Sequence, residues 1–325
     1  MKKLVFVFIL VLSGFTASAL SREDFSFGLS PFLGFKYGQI DEYVFMKECE
    51  YPDDKLSELN WEIKPELFAG IKVDGGLKNI FAEAEISAGL PKRTGLMYDS
   101  DWKNVKIPGT EGKQYKTNYS ESDNYLEYDI DVGFKAGYSF DVLDWLCFKP
   151  AVGFEYESIK FTGKNGNYWY GEEGAYGYPY SDAHSSTGNW NGEDVIEYQR
   201  FIYIAWLGTD ARVKVNEGFE INTGFFFAPY VYALSFDRHF KTPYDYADLT
   251  QGFFAAYKWN LGGVFNLTKK SSISLSADCF YMPVLRGQSY GKEHEDVEYY
   301  NNSLCEGGAG ALYCNITLSY RHKFL

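Results

Sequence analysis

The sequence predicts an all-β fold, a ten-stranded antiparallel transmembrane β-barrel that extends above the outer membrane. Three observations lead to this prediction: an export signal at the N-terminus, strand-like alternation of apolar and polar residues, and a high aromatic content. Aromatic residues make up 19% of the chain, although its mean hydropathy is only −0.30. A barrel accounts for this combination because its strands face lipid on one side and carry aromatic girdles at both membrane interfaces.

Residues 1–19 have the pattern of a secretory signal peptide. Lys2 and Lys3 precede an apolar run over residues 4–12, and residues 17–19 form an A-x-A cleavage site. The apolar run is far shorter than the roughly 20 residues that a spanning helix needs. We therefore expect export, removal of residues 1–19 and a single barrel domain over residues 20–325.

Alternation with a period of two is the main evidence for strands. Between Leu126 and Phe140 the even positions are apolar or aromatic, and the odd positions are charged residues, serine or glycine. Successive side chains of a strand point to opposite faces, so this segment has one apolar and one polar face. A soluble β-sandwich is the alternative, but the export signal and the strand lengths favour a barrel. Ten segments show the pattern: 24–39, 57–73, 79–90, 124–140, 147–162, 194–210, 212–234, 251–267, 271–285 and 308–324.

The connections between these segments alternate in length. Several segments exceed the roughly 9–11 residues that cross a bilayer, so the barrel is expected to stand clear of the membrane on one side. Short connections should face the periplasm: 74–76, 216–218 and 269–271. Long connections, rich in Gly, Tyr, Asp, Glu and Asn, should face the outside as surface loops: 91–123, 163–193, 235–250 and 286–307.

Charge and cysteine usage limit the possible partners. The net charge of −13 argues against nucleic acid and is compatible with cationic substrates. The five cysteines lack metal-ligand spacing, and no metal or cofactor is expected. Cys147, Cys279 and Cys314 lie within strand-like runs and are expected to be small apolar side chains, whereas Cys49 and Cys305 lie in loops and could pair.

Two short constellations could carry chemistry. Motifs for serine hydrolases, zinc proteases and phosphate loops are missing, and the chain has four histidines. Of these, His239 stands two residues after Asp237, so that an extended backbone puts the carboxylate and the imidazole on one face. Asp99 and Asp101 have the same spacing, and two such acids can hold a water molecule. Each pattern also arises by chance in an acidic chain, so a solvated loop is the alternative.

The segments around these residues resemble the omptin family of outer-membrane proteases. The matching stretches occur in the family's order and cover nearly the whole chain after residue 19: Lys55–Trp61, Met97–Trp102 with its D-x-D-W pattern, Glu197–Phe201, Asp237–His239 and Gly308–Gly310. The resemblance implies a ten-stranded barrel rising above the membrane, in agreement with the alternation. It also implies an endopeptidase that needs no cofactor and acts on peptides or proteins at the cell surface, as a monomer in the outer membrane.

The resemblance assigns roles to the two constellations. Asp237 would orient His239, and His239 would take a proton from water held between it and the pair Asp99 and Asp101. The aspartate pair would position that water and stabilise the oxyanion. Cleavage near basic residues is implied as well, and Glu42 matches one of the family's specificity acids.

Three positions bear on the family's specificity and lipid contacts. Ser235 stands where the family has a second specificity acid, so a single buried carboxylate is expected to hold a basic side chain less strictly. Arg200 matches one member of the family's lipopolysaccharide-binding cluster on the barrel wall. Ser158 replaces that cluster's key arginine, which implies a weakened or missing lipid requirement.

The alternation in the segment 212–234 conflicts with a catalytic role of Asp237 and His239. Phe225 and Phe227 share the odd phase with Asp237 and His239, so that a regular strand would point the pair toward lipid. A one-residue bulge near Pro229 would turn the pair inward, and we predict one there. Two alternative functions remain at this point: an omptin-like barrel that no longer cuts and serves as an adhesin, and a passive pore, whose interior ion pairs should plug it.

Overall fold

The computed structural model describes residues 24–47, 54–102, 115–173, 176–181 and 185–324. The signal-peptide prediction, Cys49 and His184 lie outside these residues. These described residues contain sixteen strands, numbered here in chain order: β1 (Phe25–Met46), β2 (Lys55–Leu77), β3 (Ile80–Gly89), β4 (Lys92–Asp101), β5 (Asn118–Tyr138), β6 (Phe140–Leu143), β7 (Leu146–Tyr170), β8 (Glu172–Glu173), β9 (Tyr176–Gly177), β10 (Ser186–Asn189), β11 (Asp194–Lys214), β12 (Phe219–His239), β13 (Tyr244–Gly252), β14 (Tyr257–Asn266), β15 (Ser271–Glu293) and β16 (Tyr300–Lys323).

Ten antiparallel staves close into a ring, which confirms the predicted fold class. A stave here is one strand, or two strands in line, that forms one full-height segment of the barrel wall. Eight staves are single strands; the third is β3 continued by β4, and the eighth is β14 continued by β13. The ring runs β1, β2, β3/β4, β5, β7, β11, β12, β13/β14, β15, β16, and β16 pairs back onto β1. Within the described part of the chain, no helix is long and apolar enough to cross a membrane.

The two ends of the barrel differ in their connections. At one end, the turn end, short turns join β2 to β3, β11 to β12 and β14 to β15. At the opposite loop end the strands continue further than predicted. Segments 91–123 and 235–250, expected as long connections, contain β4, the start of β5 and most of β13. Alternation fades in these parts because a strand above the membrane meets water on its outer face and needs no apolar side chains there.

An apolar belt surrounds the turn-end half of the barrel. Its large apolar side chains are exposed on the outer wall and lie next to one another. Soluble monomeric proteins rarely expose a contiguous apolar surface of this size. This belt is the surface expected to contact lipid. It includes Leu33, Phe35, Leu67, Ile71, Ile86, Phe134, Val152, Phe225, Leu261, Leu275 and Leu318.

Charged pairs fill the interior at the level of this belt. Lys36 is fully buried and pairs with Asp129, with Asp131 at 3.7 Å and Glu157 at 3.8 Å. Removing such a lysine would leave buried carboxylates without a counter-ion, at a typical cost of about 3–5 kcal/mol. The pairs occupy the interior as predicted, so the passive-pore alternative gains no support.

Strand β12 contains the predicted bulge. Ala205 pairs with Tyr230, whereas Leu207, two residues further along β11, pairs with Phe227, so that β12 holds one extra residue at positions 228–229. The inward-facing phase changes there from even to odd. Side chains buried before the bulge are Phe226 and Ala228, and those buried after it are Val231, Ala233, Ser235 and Asp237.

Similar register shifts occur in other staves and correct one expectation. The segments 57–73 and 124–140 were each expected to keep one apolar face throughout. Instead, β2 has an extra residue at positions 64–65 and β5 has one at position 127. Trp61 and Leu126 therefore point inward and are buried, whereas Leu67 and Phe134, in the same sequence phase, face outward. Above the shifts the barrel has an apolar interior, in which Trp61 stacks against Phe161 and Tyr198.

The cysteine prediction was wrong for one pair. Cys279 and Cys314 form a disulfide between β15 and β16, where the antiparallel register places them directly opposite each other. Their positions within strand-like runs predict apolar side chains, and only the register reveals the pairing. Cys147 is a free, buried cysteine, as expected, and Cys305 is free in the described structure.

Candidate active site

Asp237 and His239 form a hydrogen-bonded pair at the loop end of β12. The two residues are separated by one position, and both side chains lie on the face that turns inward after the bulge. The Asp237 Oδ2 atom lies 2.6 Å from His239 Nε2. Asp237 is buried, with 5% of its surface exposed, so its carboxylate is held rigidly behind the imidazole.

Asp99 and Asp101 end strand β4 on the opposite side of the barrel mouth. They pair with Leu59 and Ser57 of β2. Three staves, β5, β7 and β11, separate β4 from β12 along the ring on one side. Asn118 on β5 donates a hydrogen bond to Asp101 Oδ2 at 3.4 Å.

Electrostatic coupling joins the two pairs across the mouth. Burial alone lowers the pKa of His239, but the negative charges of Asp237, Asp99 and Asp101 and the hydrogen bond that the ring donates to Asp237 outweigh it and raise the pKa to about 9. All four predicted side chains therefore face one region, although they come from distant parts of the sequence. This raised pKa favours the doubly protonated imidazolium form of His239 at neutral pH.

Two tyrosines complete the rim of this region, and neither was predicted. The Tyr246 ring packs edge-on against His239, with 5.3 Å between ring centroids. Burial raises the pKa of the Tyr170 hydroxyl, and the charges of Asp99 and Asp101 raise it further. Both tyrosines lie in segments that were expected to be loops, where strand alternation gave no indication of which side chains face inward.

Glu42 and Ser235 lie inside the barrel beside Asp237. Glu42 on β1 is 2% exposed, and Ser235 on β12 is also buried. Burial raises the pKa of Glu42 well above its usual value, and the charges of Asp237, Asp248 and Asp99 add to the effect. The position of Glu42 thus agrees with a place in the same cleft as the four predicted catalytic residues.

Arg200 is not placed to contact lipid, and that prediction was wrong. Its side chain is fully buried inside the barrel, where it donates hydrogen bonds to Glu157 Oε1 at 3.1 Å and to the Gly310 carbonyl at 3.0 Å. A lipid phosphate on the outer wall cannot reach it. Even-numbered residues of β11 face inward at this level, so the Arg200 side chain lies inside the barrel.

The remaining histidines and acidic residues form no comparable site in the described structure. His294 lies at the loop end, 3.2 Å from Asp245, and His322 lies at the turn end beside Ser271. Asp129, Asp131 and Glu157 are close enough to hold a metal ion, but the Lys36 ammonium pairs with all three. This acidic cluster therefore already has its cation.

Comparison with known proteins identifies the family. The sequence pattern of the Omptin family matches residues 22–324. The chain belongs to the Omptin family. The likeness covers the whole barrel, including both pairs at the mouth and the strands that carry them.

Individual omptins and their relatives agree with this assignment. Two proteins named Protease 7, from Escherichia coli O157:H7 and from Escherichia coli strain K12, are each 24% identical to the chain over 221 residues. The match covers 64% of this chain and spans 62% of the length of each of these relatives. The crystal structure of the outer membrane protease OmpT from Escherichia coli superposes with a TM-score of 0.79 at 18% identity, covering 95% of this chain and 100% of that one. The fold is that of an outer-membrane β-barrel.

Proposed function

We propose that this omptin is an outer-membrane endopeptidase whose cleft opens at the extracellular side. The observation that carries the proposal is the Asp237–His239 pair, 2.6 Å apart, within the electrostatic reach of Asp99 and Asp101. A buried carboxylate behind an imidazole and a second acidic pair opposite are the parts needed to activate a water molecule. An adhesin would need neither the hydrogen bond nor the convergence of four side chains.

The mechanism uses water as the nucleophile. Water between the two pairs attacks the carbonyl carbon of the scissile bond as His239, in its neutral form, takes the proton. Asp237 holds the ring and stabilises the imidazolium that forms. The tetrahedral intermediate then collapses, the carbon–nitrogen bond breaks, and His239 returns its proton to the leaving amine. With one proton shared between them, Asp99 and Asp101 orient the water and donate a hydrogen bond to the oxyanion.

Substrates with basic side chains fit the charge of the cleft. Asp99, Asp101, Asp237 and Glu42 are all acidic and face the mouth, in a chain with a net charge of −13. A cationic side chain that enters would neutralise part of this charge. It would also lower the pKa of His239 toward neutrality, because its positive charge would offset part of the negative charge that favours the imidazolium.

Cleavage of a peptide library by refolded protein tests the proposal. His239→Ala should reduce kcat/KM about 10²–10⁴-fold, the usual contribution of a general base. The matched control is His322→Ala, because His322 lies at the turn end beside Ser271, away from the mouth. Equal cleavage by wild type and His239→Ala, or cleavage by neither, would reject the peptidase.

A further inference from the structure

The turn end of the barrel carries a group of neighbouring lysines on one side. This side of the ring is formed by the adjacent strands β14, β15, β16, β1, β2 and β3. Four lysines lie along the turn ends of these strands, and together they are called the lysine arc: Lys78, Lys269, Lys270 and Lys323. Within the described part of the chain, none of the four forms an ion pair with a carboxylate, so their charges are available to an external partner.

The fold holds the members of the lysine arc close to one another. The Lys323 amide donates a hydrogen bond to the Lys270 carbonyl at 2.7 Å, and the Lys78 amide donates one to the Asp24 carbonyl at 2.8 Å. Lys78 and Lys323 line one open pocket of about 570 Å³. The other residues that line it are Asp24, Phe25, Ser26 and Asn79. Two lysines from different strands therefore border the same space, which is open to solvent.

Carboxylates of the turn end gather on the opposite side of the ring. Asp141 and Asp144 lie between β5 and β7, and Glu217 lies in the turn between β11 and β12. Two carboxylates adjoin the lysine arc itself: Asp24 in the pocket, and Glu217, which borders a shallow hollow with Lys269. Four lysines against these two acids leave a local excess of positive charge, in a chain whose net charge is −13.

Exposed apolar side chains lie directly beside the lysines. Phe324 follows Lys323 in the chain, and its ring centroid is 5.7 Å from that of Phe27 on β1. These side chains extend the apolar belt to the turn end of the barrel: Phe25, Phe27, Ile80, Leu267 and Phe324. Since the belt is the surface expected to contact acyl chains, the lysine arc lies at the level where lipid headgroups begin.

We propose that the lysine arc binds the headgroup of an anionic phospholipid in the membrane leaflet at the turn end. Clusters of basic residues beside a membrane-spanning segment attract anionic lipids. The headgroup phosphate lies in the pocket between Lys78 and Lys323, and the acyl chains run along Phe25 and Phe324. A soluble anion would use the lysines alone, whereas a phospholipid uses both the positive charge and the exposed rings beside it.

Native mass spectrometry of the refolded protein in detergent measures lipid binding directly. Wild type should bind phosphatidylglycerol about fivefold or more tightly than phosphatidylcholine with the same acyl chains, because each lysine near the headgroups adds an attraction to anionic lipid. The double variant Lys78→Gln with Lys323→Gln should lose most of this preference and keep its affinity for phosphatidylcholine. A preference that is unchanged in this variant would overturn the proposal, as would equal affinity of wild type for the two lipids.

Arg212→Gln with Lys214→Gln is the matched control. It removes the same number of positive charges at the same end of the barrel, but from β11 on the opposite side of the ring. There Arg212 lies 3.9 Å from Asp141, so part of its charge is already compensated. This control should keep the wild-type preference for phosphatidylglycerol. An equal loss of preference in both double variants would show that net charge, and not the lysine arc, attracts the lipid, and would overturn the proposal.

Competition with inorganic phosphate distinguishes a lipid from a free anion. Phosphate and chloride at equal ionic strength should leave the same fraction of phosphatidylglycerol bound, because neither ion replaces the contacts of the acyl chains with Phe25 and Phe324. Displacement of the lipid by phosphate but not by chloride would mean that the pocket takes a free phosphate, and would overturn the proposal. These measurements involve no peptide cleavage, so their outcome is independent of the proposed peptidase function.

Discussion

At the scale of single residues, the protonation of His239 decides how the cleft works. Its ring is held by one buried carboxylate and faces two others, so that the protonated form is favoured. Removal of a proton from water needs the neutral form. The same acids that arrange the site therefore restrain it until pH rises or a cationic group arrives.

The pKa of His239 is directly measurable. Titration of its ring proton by NMR in detergent should give a value of about 9, above the ordinary histidine value of about 6.5. Asp101→Asn should lower it because one negative charge that stabilises the imidazolium is gone, whereas Glu197→Gln should not. In the free enzyme kcat/KM should accordingly rise with pH up to this value. A pKa at or below the ordinary value would contradict the described geometry.

Residue-level prediction from sequence succeeded where spacing alone defines a face. The i, i+2 spacing placed Asp237 beside His239, and the structure has them hydrogen-bonded. Arg200 and Asp248 show the limit. Whether Arg200 faces lipid or interior depends on strand phase, and the facing of Asp248 depends on a strand that the sequence did not indicate. Phase and register are set by pairing between strands, which one sequence does not display.

At the scale of the strand, bulges determine which side chains meet. Alternation predicted the ten staves, because the lipid-facing phase is apolar over most of each membrane-crossing segment. It did not predict the extra residues in β2 and β5. In each strand the apolar residues keep one sequence phase throughout, but their side chains face inward on one side of the extra residue and outward on the other. The shift in β12 was predictable only because Asp237 and His239 would otherwise have faced lipid.

Deletion of Pro229 tests the importance of the β12 bulge. Deletion of Pro229 removes the extra residue, and the pairs on either side of it, Phe227 with Leu207 and Tyr230 with Ala205, become parts of one continuous register. Asp237 still pairs with Tyr198, so that it and His239 keep their inward facing. Peptide cleavage should therefore be retained in the folded barrel, as judged by circular dichroism and by mobility of the unheated protein in gels. Deletion of Glu217, in the turn between β11 and β12, should also retain cleavage. Loss of cleavage in a folded Pro229 deletion variant, with cleavage retained in the Glu217 deletion variant, would contradict this register.

At the scale of the whole molecule, barrel closure brings distant segments of the chain together. Strands β4 and β12 never pair, yet the ring places their loop ends across one mouth. The charged network around Lys36 and the stacked rings around Trp61 fill the interior below it. The mouth is therefore a rigid cleft above a filled barrel, which suits a site whose parts must hold fixed distances.

A double-mutant cycle at the mouth tests most directly whether the two pairs act on one water molecule. Asp99→Asn, His239→Ala and the double variant are compared by kcat/KM on the best library peptide. Residues that act as a unit are strongly non-additive, so the double variant should be within about threefold of the slower single variant. Losses that multiply in the double variant would mean that Asp99 and His239 act independently, and would contradict a shared catalytic site.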